Sequence, residues 1–156
     1  MWDHGILHPA SLSYLGGAVA GLAGGAAMLL AFAALGAITQ TDPLWVPKRV
    51  AGVLLGRVET GAGGVAFGIV VHILLSVGFG VVYAIVVTRL THEFWMTAVA
   101  YALILWVINY WGGHLSPIGR QMTQAKPAWL SPIVHVAYGA FMALVAESVA
   151  AGSIHV

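Results

Sequence analysis

Four long apolar stretches limit what this chain can fold into more than any other feature of its sequence. They cover residues 14–38, 63–88, 94–112 and 132–151, and each reaches the run of about 18 apolar residues that a membrane-spanning helix needs. Hydrocarbon offers no water to the backbone N–H and C=O groups, so a single stretch of this length crosses as a helix. The sequence therefore predicts an all-α integral membrane protein whose four transmembrane helices form one domain over residues 1–156.

Composition and motifs exclude several classes of function. Only 7% of the residues are charged, whereas an ordinary soluble domain has about 25%, and a net charge of +1 provides no basic surface for nucleic acid. The absence of cysteine excludes disulfides, thiol catalysis and thiolate-ligated clusters. No nucleophile with a nearby base, no paired carboxylates and no zinc-type histidine spacing are present. We therefore expect neither an enzyme nor a metal site.

The positive charges are distributed unequally between the two sides of the membrane. Those in the two long connections between spans are Lys48, Arg49, Arg57, Arg120 and Lys126. The short turn between the second and third spans has only Arg89. By the positive-inside rule, both long connections face the cytoplasm and both termini face outward. The expected location is the cytoplasmic (inner) membrane of a prokaryote.

The first long connection predicts a short interfacial helix over residues 43–57. Its apolar side consists of Leu44, Trp45, Val50, Val53 and Leu54, and basic residues beside it suit the headgroup region. Asp42 is placed to cap this helix and Pro43 to occupy its first turn. The second connection is broken by prolines and glycines and indicates an ordered loop or a short helix.

Two similar segments indicate that the spans form two hairpins. VHILLSVGFGVVYA begins at Val71 and VHVAYGAFMALVAE begins at Val134, and a small residue, Ser76 or Gly139, follows each histidine by four positions. The pattern predicts one hairpin from the first and second spans and another from the third and fourth. It also fits a tandem repeat whose halves are related by an axis along the membrane normal.

Small residues on the first span predict close helix packing. Gly17, Gly21 and Gly25 recur every four residues, and the second span offers a matching groove through Ser76 and Gly80. Such spacing lets helix backbones approach closely in lipid, where no hydrophobic force drives them together. Internal packing of these two spans is one interpretation. Docking against another protein's helix is the other, because the first span has small residues on more than one face.

Polar residues inside the spans form a predicted cluster near the cytoplasmic leaflet, composed of His72, Asn109 and His135. Polar groups in hydrocarbon are costly and turn towards a bundle interior, towards one another or towards water. Hydrogen bonds between helices, axial ligation of haem by His72 and His135, and a proton or solute path through the histidines all fit the pattern. The different depths of the two histidines in their helices disfavour haem.

Aromatic side chains crowd the third span, and Trp106 lies well inside it. Tryptophan and tyrosine at helix ends are expected at the headgroups, so Trp106 needs another explanation. We expect it to pack against the glycine-rich first span. Contact of Trp106 and the neighbouring aromatics with lipid, quinone, pigment or another subunit is the alternative.

Four spans, a glycine-rich first helix, an amphipathic first connection and the segments HILLSVGFGVVYA and HVAYGAFMAL together resemble small bacterial and archaeal membrane proteins of unknown function, of the YagU-like kind. This resemblance implies a non-enzymatic integral membrane protein. His135 and Gly139 are at its most recognisable position, and it implies no catalytic residue.

The expected function is that of a non-catalytic accessory or stabilising subunit of a larger membrane complex, with electron transport as its setting. The expected partners are the lipid bilayer and the helices of other membrane subunits, with no cofactor. Two alternatives stay open. One is a haem b-binding membrane electron carrier that uses His72 and His135, and the other is a small homo-oligomeric channel or transporter.

Overall fold

The computed structural model of the chain describes residues 11–58, 61–124, 127–152 and 154, and these residues form six α-helices. Four of the helices are long and apolar enough to cross a membrane. They are α1 (Tyr14–Thr39), α3 (Ala62–Val86), α4 (Trp95–His114) and α6 (Leu130–Ala150). A π-helical turn, Val87–Thr91, extends α3. The all-α class and the positions of the four predicted spans are confirmed.

Two shorter helices, α2 (Trp45–Leu55) and α5 (Pro117–Gln124), occupy the long connections. The helix predicted between the first two spans is therefore present, but the prediction of its start is wrong. Leu44 is its N-cap residue, and the Asp42 carboxylate accepts the Leu44 N–H at 2.9 Å in the turn before the helix. Pro47, instead of Pro43, is in the first turn, where the missing N–H has no partner to lose.

The buried face of α2 also differs from the predicted one. Trp45, Val46 and Ala51 are buried, whereas Leu54 is 59% exposed. The cause is the bundle itself, because the Trp45 ring stacks on Phe32 of α1 with their centroids 5.2 Å apart. Helix α2 thus packs on the bundle, and its position at the membrane surface stays a prediction.

Helix α1 lies in the middle of the bundle, where it packs along both α3 and α6, and α4 packs along α6. The two predicted hairpins, α1 with α3 and α4 with α6, are both present. Two halves related by a two-fold axis would also pair α4 with α3 as α1 pairs with α6, yet α3 and α4 meet only sparsely. The packing of the two hairpins is therefore unequal, and the tandem repeat stays a prediction.

The two ends of the bundle have different contents. At one end, which we call the terminal end, the Leu12 N–H donates to Thr88 Oγ1 of the π turn at 3.0 Å. A Cβ added to Gly16 would lie 2.9 Å from Val149 of α6, so the start of α1 and the end of α6 are neighbours there. The opposite end, which we call the connector end, carries α2 and α5.

Candidate functional site: an intramembrane cleft

Small residues let α1 and α3 approach each other backbone to backbone. A Cβ added to Gly17 would lie 2.6 Å from the carbonyl oxygen of Gly80, and one added to Gly21 would lie 2.7 Å from Gly80 Cα. One added to Gly25 would lie 2.6 Å from Ser76 Cβ. Real Cβ atoms do not come this close to neighbouring atoms, so only glycine fits. The predicted glycine positions of the first span therefore face the groove predicted on the second.

Helix α6 covers a second small-residue face of α1. A Cβ on Gly24 would lie 2.7 Å from the Tyr138 carbonyl oxygen, and Ala20 is fully buried. The argument that α1 keeps a spare small-residue face for a foreign helix is therefore wrong, because this chain supplies the second neighbour. Gly139 serves α4 instead, since its Cβ would lie 2.7 Å from the Ala98 carbonyl oxygen.

Trp106 does not pack as expected. The atoms nearest to the α1 glycines in the middle of the span come from α3 and α6, which leaves no glycine surface for an indole from α4. The Trp106 ring lies 6.0 Å from that of Tyr110 in the same helix. Its Nε1 is buried without a hydrogen-bond partner in the described part of the chain.

Because α3 and α4 meet only sparsely, a cleft opens between their connector-end halves. Its cavity has a volume of about 80 Å³. The side chains that give it polarity are Arg49, His72, Ser76, Asn109, His135 and Tyr138. The three residues of the predicted polar cluster thus line one cavity, and both imidazoles are buried, with His72 8% and His135 6% exposed.

Backbone carbonyls accept hydrogen bonds from both imidazoles. The His72 ring donates from Nε2 to the Gly25 carbonyl oxygen of α1 at 3.2 Å, and this partner could not be named from the sequence. The His135 ring donates from Nδ1 to the Ser131 carbonyl oxygen at 2.8 Å, within its own helix. A carbonyl can only accept, which fixes a proton on each of these nitrogens. His72 therefore joins two spans.

The floor of the cleft carries further hydrogen bonds across the bundle. The Ser76 hydroxyl donates to the His72 carbonyl oxygen one turn earlier at 2.8 Å. The Tyr138 hydroxyl of α6 donates to the Ser76 carbonyl oxygen at 3.5 Å. Helices α3 and α6 each pack along α1. The Tyr138 contact joins α3 and α6 directly, at the bottom of the cleft.

Arg49 is the residue of the cleft that sequence reasoning missed. Its Nη2 donates to the Asn109 carbonyl oxygen of α4 at 3.0 Å, and its guanidinium carbon lies 5.4 Å from the centre of the Trp45 ring. Burial lowers the pKa of the guanidinium below its ordinary value. A signal existed in the sequence, because Arg49 is four residues after Trp45 and therefore shares its face of α2.

Comparison with known proteins does not assign this chain to a family. No family model, no curated protein and no solved structure matches the chain. The resemblance to YagU-like proteins consequently stays a prediction from the sequence motifs.

Proposed function

We propose that this chain is a non-catalytic accessory or stabilising subunit of a larger membrane complex, with electron transport as its setting. The polar groups of the cleft, His72, Ser76, His135 and Tyr138, donate to backbone carbonyls and are not arranged as a nucleophile with a base. The helices described outside the spans are short, and α2 packs on the bundle. Such a chain acts mainly through what it contacts inside the bilayer.

The outer face of α4 carries this proposal. Helix α4 packs along α6 on one side, and Met96, Leu103, Val107 and Trp111 lie on another side at helical spacing. Met96 is 78% and Trp111 66% exposed. Tryptophan and methionine are enriched where proteins contact one another, and this face is on the opposite side of α4 from Asn109 and the cleft.

Co-purification in mild detergent, followed by native mass spectrometry, tests the proposal. The chain should be recovered with larger membrane polypeptides. Replacing Met96 and Trp111 by alanine should reduce that recovery by about tenfold or more, since central aromatic contacts dominate interfaces. Phe141→Ala is the matched control, because Phe141 is 51% exposed on α6, and it should have little effect. Recovery as a homo-oligomer alone would contradict the subunit role and favour a channel or transporter.

The orientation of the chain is part of the proposal, with the connector end in the cytoplasm of a prokaryotic cell and both termini outside. Four basic residues of the described chain support it, because Lys48, Arg49 and Arg57 lie in or beside α2 and Arg120 lies in α5. Lys126 is outside the described residues. Since the chain has no cysteine, single cysteines can report each side. Leu90→Cys should react with an impermeant maleimide from outside, and Leu115→Cys only in inverted vesicles. The opposite pattern would reverse the orientation.

A haem b carrier is the second candidate, favoured by the single fact that His72 and His135 line the same cavity. The geometry is less suitable than this fact suggests, because His72 Nε2 is engaged by Gly25 and the two helices do not pack side by side. A cavity of about 80 Å³ is also much smaller than a porphyrin. Purification from haem-replete cells should give a protein without a Soret band. A Soret band that disappears in both His72→Ala and His135→Ala would establish the carrier instead.

A further inference from the structure

The mouth of the cleft holds a positive charge that is not neutralised by any described carboxylate. Arg49 is half-buried, and its Nε is buried without an acceptor in the described chain. The ion pair that the structure describes is formed next to it by Lys48 and Asp42 at 2.6 Å. A partly buried guanidinium without an anion is energetically costly. A negatively charged group bound beside Arg49 would therefore stabilise this site.

Arg49 also lies at the boundary between two spaces. On one side is the cleft, and on the other is a second depression of about 270 Å³, which we call the outer groove. Arg49 and Asn109 line both spaces, and apolar residues such as Leu54, Leu75 and Ile108 form the walls of the outer groove. A positively charged donor beside an apolar channel at membrane depth matches an amphiphile with an anionic head.

We propose that the outer groove binds an anionic phospholipid, whose phosphate pairs with Arg49 and whose acyl chain lies against Leu75 and Ile108. Guanidinium groups bind phosphate through two parallel N–H donors, and the Arg49 guanidinium has N–H donors beyond the Nη2 contact with Asn109. Basic pockets between transmembrane helices are suited to anionic headgroups.

Native mass spectrometry of the full chain in detergent, titrated with phosphatidylglycerol or phosphatidylcholine of identical acyl chains, tests this proposal. Phosphatidylglycerol should bind about tenfold more tightly, as expected for a charge-assisted contact. Arg49→Gln should remove this preference, so that phosphatidylglycerol binds no more tightly than phosphatidylcholine. Arg57→Gln is the matched control, because Arg57 is exposed and its loss should change either affinity by less than about twofold.

Three outcomes would overturn the proposal. One is equal binding of the two lipids by the unaltered chain, which decides the matter even if Arg49→Gln does not fold. Another is displacement of bound phosphatidylglycerol by inorganic phosphate at equal concentration, which would make the site one for a soluble anion. The third is a gain of about tenfold in lipid affinity in Glu59→Gln, since Glu59, outside the described residues, would then be the counter-ion of Arg49.

The proposed lipid site and the proposed subunit role can be tested independently of each other. The outer groove and the exposed face with Met96 and Trp111 are on different sides of α4. Loss of phosphatidylglycerol binding in Arg49→Gln would leave co-purification with larger polypeptides intact, and the alanine variants of α4 would leave the lipid preference intact.

Discussion

Helix α3 makes a tight contact with α1 and a loose contact with α4. Towards α1 it presents Gly80, and the two backbones touch. Towards α4 it presents the side chains that line the cleft, and the helices stay apart. The difference follows from side-chain size, because lipid tails are as apolar as leucine and helices associate only where surfaces fit closely or polar groups meet.

The loose contact is itself uneven along its length. At the terminal end, the Tyr83 hydroxyl donates to the Phe94 carbonyl oxygen at 2.7 Å, and the Tyr101 hydroxyl donates to the Phe79 carbonyl oxygen at 3.0 Å. Hydrogen bonds therefore hold α3 and α4 together at this end and leave them open at the connector end. The α1 contact depends on shape, whereas the α4 contact depends on a few hydroxyl groups.

The largest expected effect comes from disrupting the tight contact. Gly80→Leu would force a side chain into the α1 backbone, which cannot move aside, so we expect a loss of about 3 kcal/mol or more in the free energy of unfolding. Denaturation in mixed micelles, followed by circular dichroism, measures the change.

Gly78→Leu is the matched control on the same helix. A Cβ at Gly78 would meet nothing within 4 Å, so this variant should lose less than about 1 kcal/mol. Equal losses in the two variants would mean that the glycine contact with α1 does not determine stability.

A smaller effect is expected from breaking the loose contact at its terminal end. Tyr101→Phe removes the hydroxyl that donates to Phe79 and keeps the ring, which should cost about 0.6 to 1.5 kcal/mol. Tyr110→Phe is the control, because the ring contacts of Tyr110 survive the change. If the Tyr101 variant matched this control in stability, the hydrogen bond would not hold α3 and α4 together.

The smallest expected effect on stability comes from Asp42, which lies in the turn before α2. Burial alone would raise the pKa of Asp42, but hydrogen bonds from Lys48 and Leu44 outweigh it and hold the pKa below its ordinary value of 3.8. The lowered pKa means that the ionised carboxylate stabilises the fold above pH 4 and that this contribution is lost as the pH falls through the folded-state pKa.

Because Asp42 and Lys48 form a surface ion pair, the ionised carboxylate should contribute no more than about 1 kcal/mol to the free energy of unfolding. Unfolding curves of Asp42→Asn and of the unaltered chain between pH 7 and pH 3 measure it, and the two should converge at low pH. A difference that persists unchanged at pH 3 would show that ionisation of Asp42 is not the cause.

Hydropathy and small-residue spacing predicted much of the fold. A transmembrane span is recognised by the length of its apolar run, and a glycine groove is recognised by the four-residue spacing of its small residues. The neighbours of each groove were harder to foresee. One of the two interpretations left a second small-residue face of α1 for another protein's helix, and only the placement of α6 between α1 and α4 shows that Tyr138 covers the face around Gly24. Which spans become neighbours depends on how complete surfaces fit, and a local pattern does not contain that information.

The candidate site was predicted in part. The location of His72, Asn109 and His135 towards the same predicted leaflet indicated a shared environment, and these residues line one cavity. Arg49 was assigned to the headgroup region as one of the basic residues of the predicted interfacial helix. Its actual position depends on the stacking of Trp45 on Phe32, which orients α2 and directs the guanidinium towards α4.

The central place of α1 has a consequence for synthesis at the ribosome. Helix α1 carries two glycine-lined faces, and the helix that covers the second of them, α6, comes later in the chain. During synthesis the face of α1 that α6 covers is therefore exposed until α6 inserts, and the timing of insertion decides whether α6 or another helix packs against it.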